Sequence, residues 1–257
     1  MQKHISFSEL KTWDECPYKQ KLSYIDRVNV FEGNEYTAFG TSLHEVAEKL
    51  LVEDIKNPVE VFNHDFSKRL KELNIDESKD LVKGMYRQAP VLIENILPAL
   101  NEYFEDYEVV STEEMLYEEI SELTYKWHLK GFIDLVIKTK DGKYHILDWK
   151  SCSWGWDAKK RSEKLVTYQL TLYKKFFCKK HNIDPKDIET HFALMKRTAK
   201  KNVIEIFRVT SGAKKTENAL KLLNKALYNI EKNNFIKNRL SCTSGFKCEY
   251  YKTKFCS

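Results

Sequence analysis

Glycine and proline are scarce in this chain: eight and five of 257 residues, scattered along its length. No Pro-, Ser- or Gly-rich stretch reads as a linker, so the sequence is taken as one domain over residues 1–257, with a helical insertion over about 55–108. A run of 18 apolar residues is also lacking, which excludes a membrane-spanning helix and a membrane partner. Met1-Gln2-Lys3-His4 opens no apolar signal segment, and the expected location is the cytoplasm. Charge of one sign is in only slight excess. A formal charge of +5 permits a nucleic-acid partner without requiring one. Neither an internal repeat nor a low-complexity tract occurs. Without a secretory signal, the six cysteines read as reduced thiols or metal ligands rather than disulfides.

What is present begins with helix signals. Ser6 and Glu9 have capping-box spacing, and Cys16-Pro17 breaks the helix they open, because proline disfavours helical geometry in the residue before it. A second helix runs to about Ile25. Gly40-Thr41-Ser42-Leu43-His44-Glu45 opens the next, with Ser42 and Glu45 as its capping box and His44 in its first turn. Residues 58–105 are helical in pattern, and Pro90 and Pro98 are expected to kink or divide them. Strands begin at Val109–Ile120, with Glu113 and Glu114 near the start. A helix from Lys159 to about Lys180 puts Gln169 and Tyr173 on one face. Residues 191–197 and 203–209 alternate like a hairpin, and a helix follows over 213–232.

The chemistry is concentrated between Gly131 and Lys150. Phe132–Ile137 and His145–Leu147 are apolar runs joined by Lys140-Asp141-Gly142-Lys143, the signature of a hairpin turn. One run carries Asp134 and the other leads into Asp148-Trp149-Lys150. Side chains repeat every two residues along a strand, so Asp148 and Lys150 share a face. A two-residue Asp141-Gly142 turn would set Asp148 opposite Leu135. A three-residue loop, Lys140-Asp141-Gly142, sets it opposite Asp134 and suits a left-handed glycine in last place. Two carboxylates can hold a hard divalent cation such as Mg²⁺, and a lysine beside them can stabilise negative charge developing on a phosphate. The same three residues also fit a plain salt bridge at a strand end.

The full ordered set narrows the choice. Ser-x-Ser-x-Leu before Cys16-Pro17, Gly-Thr-x-x-His44, Gly131-x-x-Asp134, Asp148-x-Lys150 and Gln169-x-x-x-Tyr173 follow one another along the chain. Together they resemble the RecB-like branch of the PD-(D/E)XK nucleases, which includes the AddB nuclease domain, CRISPR-associated RecB-like exonucleases and phage homologues. The resemblance implies an α/β fold: a restriction-endonuclease-like core with a central mixed β-sheet flanked by helices. It implies a Mg²⁺- or Mn²⁺-dependent deoxyribonuclease, an exonuclease rather than an endonuclease, acting on single-stranded DNA or duplex ends in recombination, repair or replication. The setting would be a phage or prokaryotic host cell, with a helicase or recombination protein as partner. His44, Asp134, Asp148 and the Trp149 carbonyl would be the metal ligands and Lys150 the catalytic lysine. Gln169 and Tyr173 would line the site and approach DNA. Glu114 stands where relatives carry a glutamate on the preceding strand.

The resemblance extends to the cysteines. Cys16, Cys242, Cys248 and Cys256 take the places of the 4Fe–4S ligands in iron–sulfur members, although the tail spacing is wider here than in those relatives. Zinc, or four free thiols, are the alternatives. Cys152 and Cys178 match no family position and read as ordinary buried residues. Trp154, Trp156, Lys159, Lys160 and Arg161 directly follow the catalytic strand and could stack on and pair with single-stranded DNA; equally, the tryptophans could anchor their loop to the core. Two rival readings remain: a nuclease-like subunit that holds DNA without cutting it, and a restriction-type endonuclease, which would need a recognition region that the sequence does not show.

Overall fold

The protein is described by a computed structural model over residues 3–120, 126–243 and 247–256. Residues 244–246 of the cysteine-bearing tail thus lie outside the described residues. In chain order the elements are β1 (Lys3–Ser6), α1 (Phe7–Glu15), α2 (Pro17–Gln20), α3 (Glu35–Val52), α4 (Pro58–Glu72), α5 (Asp80–Phe104), β2 (Tyr107–Glu119), β3 (Trp127–Thr139), β4 (Tyr144–Cys152), α6 (Ala158–Ser162), α7 (Lys164–His181), β5 (Ile188–Lys196), β6 (Ile204–Val209) and α8 (Ala213–Glu231). They fall into two compact units.

One unit comprises Met1–Glu32, Tyr117–Gly131 and Ala213–Ser257. Here β1 runs parallel to Trp127–Lys130 of β3. Ser6 caps α1 by accepting from the Glu9 N–H at 3.1 Å. Cys16 ends that helix in extended geometry and Pro17 opens α2, as expected for a residue ahead of proline. At the end of α8, Glu231 accepts from the Trp127 indole at 2.6 Å and pairs with Lys3 at 2.8 Å. Tyr250 pins the tail: it is 3% exposed and donates to the Val28 carbonyl at 2.6 Å.

The other unit, Gly33–Leu116 and Phe132–Gly212, holds a mixed sheet. In it β3 is antiparallel to β4, β4 parallel to β5, and β5 antiparallel to β6. One face, through Leu135, Ile137, Leu147, Trp149, Ala193 and Met195, joins a core built from α3, α4 and α5. Alternation sends Tyr144, Asp148 and Phe192 to the other face, where α7 lies: Gln169 reaches Asp148 and Phe177 meets Tyr144. The β3–β4 connection is the three-residue loop. Thr139 N–H bonds the Lys143 carbonyl, Gly142 is left-handed at φ +84°, and Leu135 pairs with Leu147.

Three local expectations are corrected here. The helix bearing His44 starts at Glu35 rather than near Gly40, because Asn34 and Thr37 form the capping box; Ser42 lies inside the helix and donates to Asp65 at 2.7 Å. Pro90 and Pro98 do not divide α5, which is continuous for 25 residues. An interior proline costs about 3 kcal/mol. A buried Leu, Ile, Phe or Met contributes about 1.5–3 kcal/mol, and α5 buries Met85, Leu92, Ile93, Ile96, Leu100 and Phe104. The apolar stripe wins. The helix expected from Lys159 is two, α6 and α7, because Glu163 between them is extended (ψ 130°).

Candidate active site

The hairpin register determines the site. With Leu135 opposite Leu147, the next pair outward is Asp134 and Asp148, on the face turned away from the aliphatic core. Asp134 accepts from the Trp149 backbone N–H at 2.7 Å, so each strand fixes the other's acid. The Trp149 ring is 1% exposed and belongs to the core, which makes the backbone between the two site residues rigid. Asp148 is held from both sides. Lys150 Nζ lies 2.5 Å from its Oδ2, and Gln169 Nε2 donates to its Oδ1 at 2.8 Å. Gln169 also donates to the Tyr173 hydroxyl at 3.4 Å, one turn further along α7.

From the opposite side α3 delivers His44, whose Nδ1 is 3.4 Å from Asp134 Oδ2. Gly40 eases the approach of α3 to β4, since a Cβ there would stand 2.8 Å from Ser151 Oγ and oblige that hydroxyl to turn away. The structure therefore brings His44, Asp134, Asp148, Trp149, Lys150, Gln169 and Tyr173 into one place.

Electrostatics sort the groups by proton state. Burial lowers the His44 pKa to about 4 despite the opposing field of Asp148, so at neutral pH its ring is neutral and carries a free lone pair. Burial and then Asp148 push Asp134 well above the ordinary carboxylate range. For Lys150 burial acts downward, but Asp148 and Asp134 outweigh it and hold the ammonium above its usual 10.5. Burial and the nearby acids raise Tyr173, which stays a neutral phenol. Two acids, one already resisting ionisation, thus face a permanent cation. Asp148 Oδ2 is buried, with the Lys150 ammonium 2.5 Å away as its neighbouring cation. Carboxylate oxygens of Asp148 and Asp134 beside the neutral His44 ring form a donor set that suits a divalent ion.

Glu114, the glutamate singled out from the sequence, does not join this group. It pairs with Lys180 and His181 at 2.7 Å each; against burial, these partners hold its pKa down to about 2. Its neighbour Glu113 faces the site instead: burial raises its pKa first, and the fields of Glu48 and Asp148 add to that. The reason is a left-handed backbone at Glu113 (φ 47°), which breaks the alternation of β2. Glu48 was also missed, although it lies one helical turn beyond His44. Glu113→Gln is expected to slow any metal-dependent turnover about tenfold without loss of stability. Glu114→Gln should leave turnover alone and cost about 1–3 kcal/mol. That stabilisation exists above the ordinary carboxylate pKa of 4.5 and is lost as pH falls toward about 2. Turnover and urea unfolding at pH 7 separate the two variants; equal effects on turnover would refute the assignment.

The stretch after β4 splits into two kinds of residue. Trp154 is 75% exposed, and Lys159 and Lys160 are exposed, the Lys160 ammonium lying 5.6 Å from the centre of the Trp156 ring. Trp156 instead packs on Phe192 with ring centres 5.1 Å apart, and Arg161 is tied to Glu205 at 2.6 Å and to the Trp156 carbonyl. The first kind presents exposed side chains that a ligand could meet.

The cysteines belong to the other unit, except Cys178, which is buried, and Cys152, which is half-buried at the end of β4 rather than in the core. The Asn238 N–H donates to Cys16 Sγ at 3.3 Å, the Cys242 thiol faces the Asn238 carbonyl at 3.8 Å, and the Cys248 N–H bonds the Cys242 carbonyl at 3.2 Å. Chain ends remote in sequence are therefore neighbours. Among the described residues, however, no three of these sulfurs form a ligand set with mutual distances within 4.8 Å.

Residues 4–253 match the family described as the PD-(D/E)XK nuclease superfamily. The crystal structure of a candidate exonuclease from Eubacterium rectale superposes with TM-score 0.63 at 16% identity, covering 94% of this chain and 86% of that one. The crystal structure of SSO0001 gives TM-score 0.41 at 12% identity over 89% of this chain and 77% of that one, too low a score to argue from. No curated protein matches the sequence.

Proposed function

The chain belongs to the PD-(D/E)XK nuclease superfamily, and from that premise we propose a DNA exonuclease that depends on Mg²⁺ or Mn²⁺. The observation that carries this is Asp148: a buried carboxylate bracketed by Lys150 and Gln169, with Asp134 on the adjoining strand. His44, Asp134, Asp148 and the Trp149 carbonyl would hold the metal, with Glu113 and Glu48 adding negative charge at the rim. When bound, the ion would neutralise phosphate charge and acidify an attacking water. The residues supply the rest. Lys150 holds a fixed positive charge where a phosphate oxygen gains negative charge, Gln169 orients Asp148, and Tyr173 keeps Gln169 in line. Trp154 offers a stacking face for an unpaired base, and Lys159 and Lys160 offer charge for the backbone. Work on DNA ends fits recombination, repair or replication, alongside a helicase or recombination partner.

End-labelled single- and double-stranded DNA, incubated with and without Mg²⁺ or Mn²⁺, tests this reading. Stepwise loss of terminal nucleotides only with metal is the expected result. Internal cuts in circular DNA would replace the exonuclease by an endonuclease. Binding without cutting under every metal condition would refute the enzyme and leave a DNA-holding subunit.

Cys16, Cys242, Cys248 and Cys256 are proposed as ligands of a 4Fe–4S cluster; their free thiols and the Asn238 contacts linking Cys16 to Cys242 support the reading. Protein purified without oxygen should be brown, absorb near about 400 nm and carry roughly four irons. Cys256→Ser should bleach it and Cys178→Ser should not. Colourless protein with stoichiometric zinc would favour zinc, and metal-free protein would end both.

A further inference from the structure

A second cluster of metal-binding side chains lies on the sheet face opposite Asp148, at the other end of the same strands. His145 opens β4, and Glu189 and His191 open β5; the parallel register pairs His145 with Glu189, and His191 follows two residues on. All three side chains therefore point to one face. Their ligand atoms lie within 4.8 Å of one another, beside a cavity of about 520 Å³ lined in part by Tyr103, Phe104 and Thr139. None of them belongs to the candidate active site. The geometry points to a second metal centre, a site for a divalent transition ion of the Zn²⁺ type held by His145 Nδ1, His191 Nε2 and the Glu189 carboxylate, with a fourth position open to the cavity.

Tautomers support this assignment. Thr139 Oγ1 is 2.5 Å from Asp141 Oδ1 and 3.0 Å from His145 Nε2. A carboxylate only accepts, so the hydroxyl proton goes to Asp141 and His145 must donate through Nε2–H. That leaves the lone pair of His145 Nδ1 aimed at His191 Nε2, 3.0 Å away. Fixing one ring nitrogen by an outer hydrogen bond so that the other is ready to ligate is how metal-binding histidines are commonly held. Zn–N bonds of about 2.0–2.1 Å at a tetrahedral angle place two nitrogens about 3.3 Å apart, a few tenths of an ångström beyond the present spacing.

The remaining groups are consistent with an ion there. The two buried rings meet through one imidazole–imidazole hydrogen bond, which an ion between them would replace, the His191 proton then sitting on Nδ1. Burial also keeps both rings neutral at physiological pH, the form that ligates. Lys143 and Arg208 approach Glu189 Oε1 at 3.4 and 3.2 Å and hold its carboxylate at the cavity. Phe104 and Tyr103 pack edge-on or tilted against the rings and limit their rotation. Two imidazoles and a carboxylate suit Zn²⁺ better than Mg²⁺, which prefers oxygen ligands and retained waters.

The test uses full-length Asp148→Ala protein, which removes a ligand of the other proposed ion site, stripped with chelator and dialysed against Zn²⁺. Zinc on the cysteines is common to every variant and cancels. His145→Gln with His191→Gln should lose one zinc equivalent. Glu189→Gln should weaken that equivalent tenfold or more. At zinc well above Kd the parent should gain thermal stability that the variants do not. Should the double histidine variant fail to fold, Glu189→Gln decides alone, since its side chain is on the cavity rim. Equal zinc stoichiometry, affinity and stabilisation in parent and Glu189→Gln would overturn the proposal. The result is independent of whether the Asp148 site cuts DNA.

Discussion

Asp148→Asn is expected to lower DNA cleavage by about 10³-fold or more, because it removes a charge that a bound divalent ion and Lys150 both need. The substitution keeps the shape of the side chain and its Oδ1, so Gln169 can still donate to it. What changes lies on the other side. An amide NH₂ would face Lys150 Nζ, now 2.5 Å from Oδ2, and two donors cannot share that gap. Lys150 must turn toward Asp134, and both charges leave the position suited to a phosphate. Since neither Trp154 nor Lys159 nor Lys160 depends on Asp148, affinity for DNA should stay within about threefold, which is less than 1 kcal/mol. Anisotropy with a labelled oligonucleotide reads the binding and release of end label reads the cleavage. Near wild-type cleavage by Asp148→Asn would place the chemistry elsewhere.

Why this site was readable from sequence, while its rim was not, follows from distance along the chain. Asp134, Asp148 and Lys150 belong to one hairpin, and loop length together with strand alternation fixes which side chains share a face. His44 and Gln169 came from motif resemblance, yet each lies on a continuous helix whose periodicity is visible. Glu113 and Glu114 resisted because one left-handed residue in β2 inverts the count, and no glycine or proline announces it. The helix start at Asn34 was overlooked because a Thr serves as the third residue of the capping box where a Glu or Gln is the usual signal. His145, Glu189 and His191 were invisible as a set: 46 residues separate the two histidines, and only the parallel register of β4 with β5 brings them together. The tail held a different lesson. Its order need not await a metal, since Tyr250 is buried and bonded to Val28, a contact no local pattern reveals.

Lys150→Gln should be as damaging to cleavage as loss of the acid, by about 10²–10³-fold, yet with the opposite effect on the ion. In the metal-free protein Lys150 neutralises Asp148 and Asp134, and those acids hold its pKa high. An ammonium in that place competes with any divalent cation for the same two carboxylates. Its removal should therefore leave Mn²⁺ binding unchanged or tighter, whereas Asp148→Asn should weaken it. Stability moves the same way. Without metal, Lys150→Gln leaves two acids with no cation between them and should lower Tm, because an unpaired buried charge is expensive. Added Mn²⁺ should restore Tm, because the ion takes over the neutralising role. Lys150→Arg should not rescue the rate: the guanidinium is wider and planar, and the space under it is already occupied by the Phe192 ring 6.0 Å from Nζ. Calorimetric titration with Mn²⁺, thermal melts with and without it, and single-turnover cleavage separate these effects. A lysine that only braces the strand would give variants with lower Tm at every Mn²⁺ concentration and normal turnover once folded, and that pattern would remove Lys150 from the catalytic role.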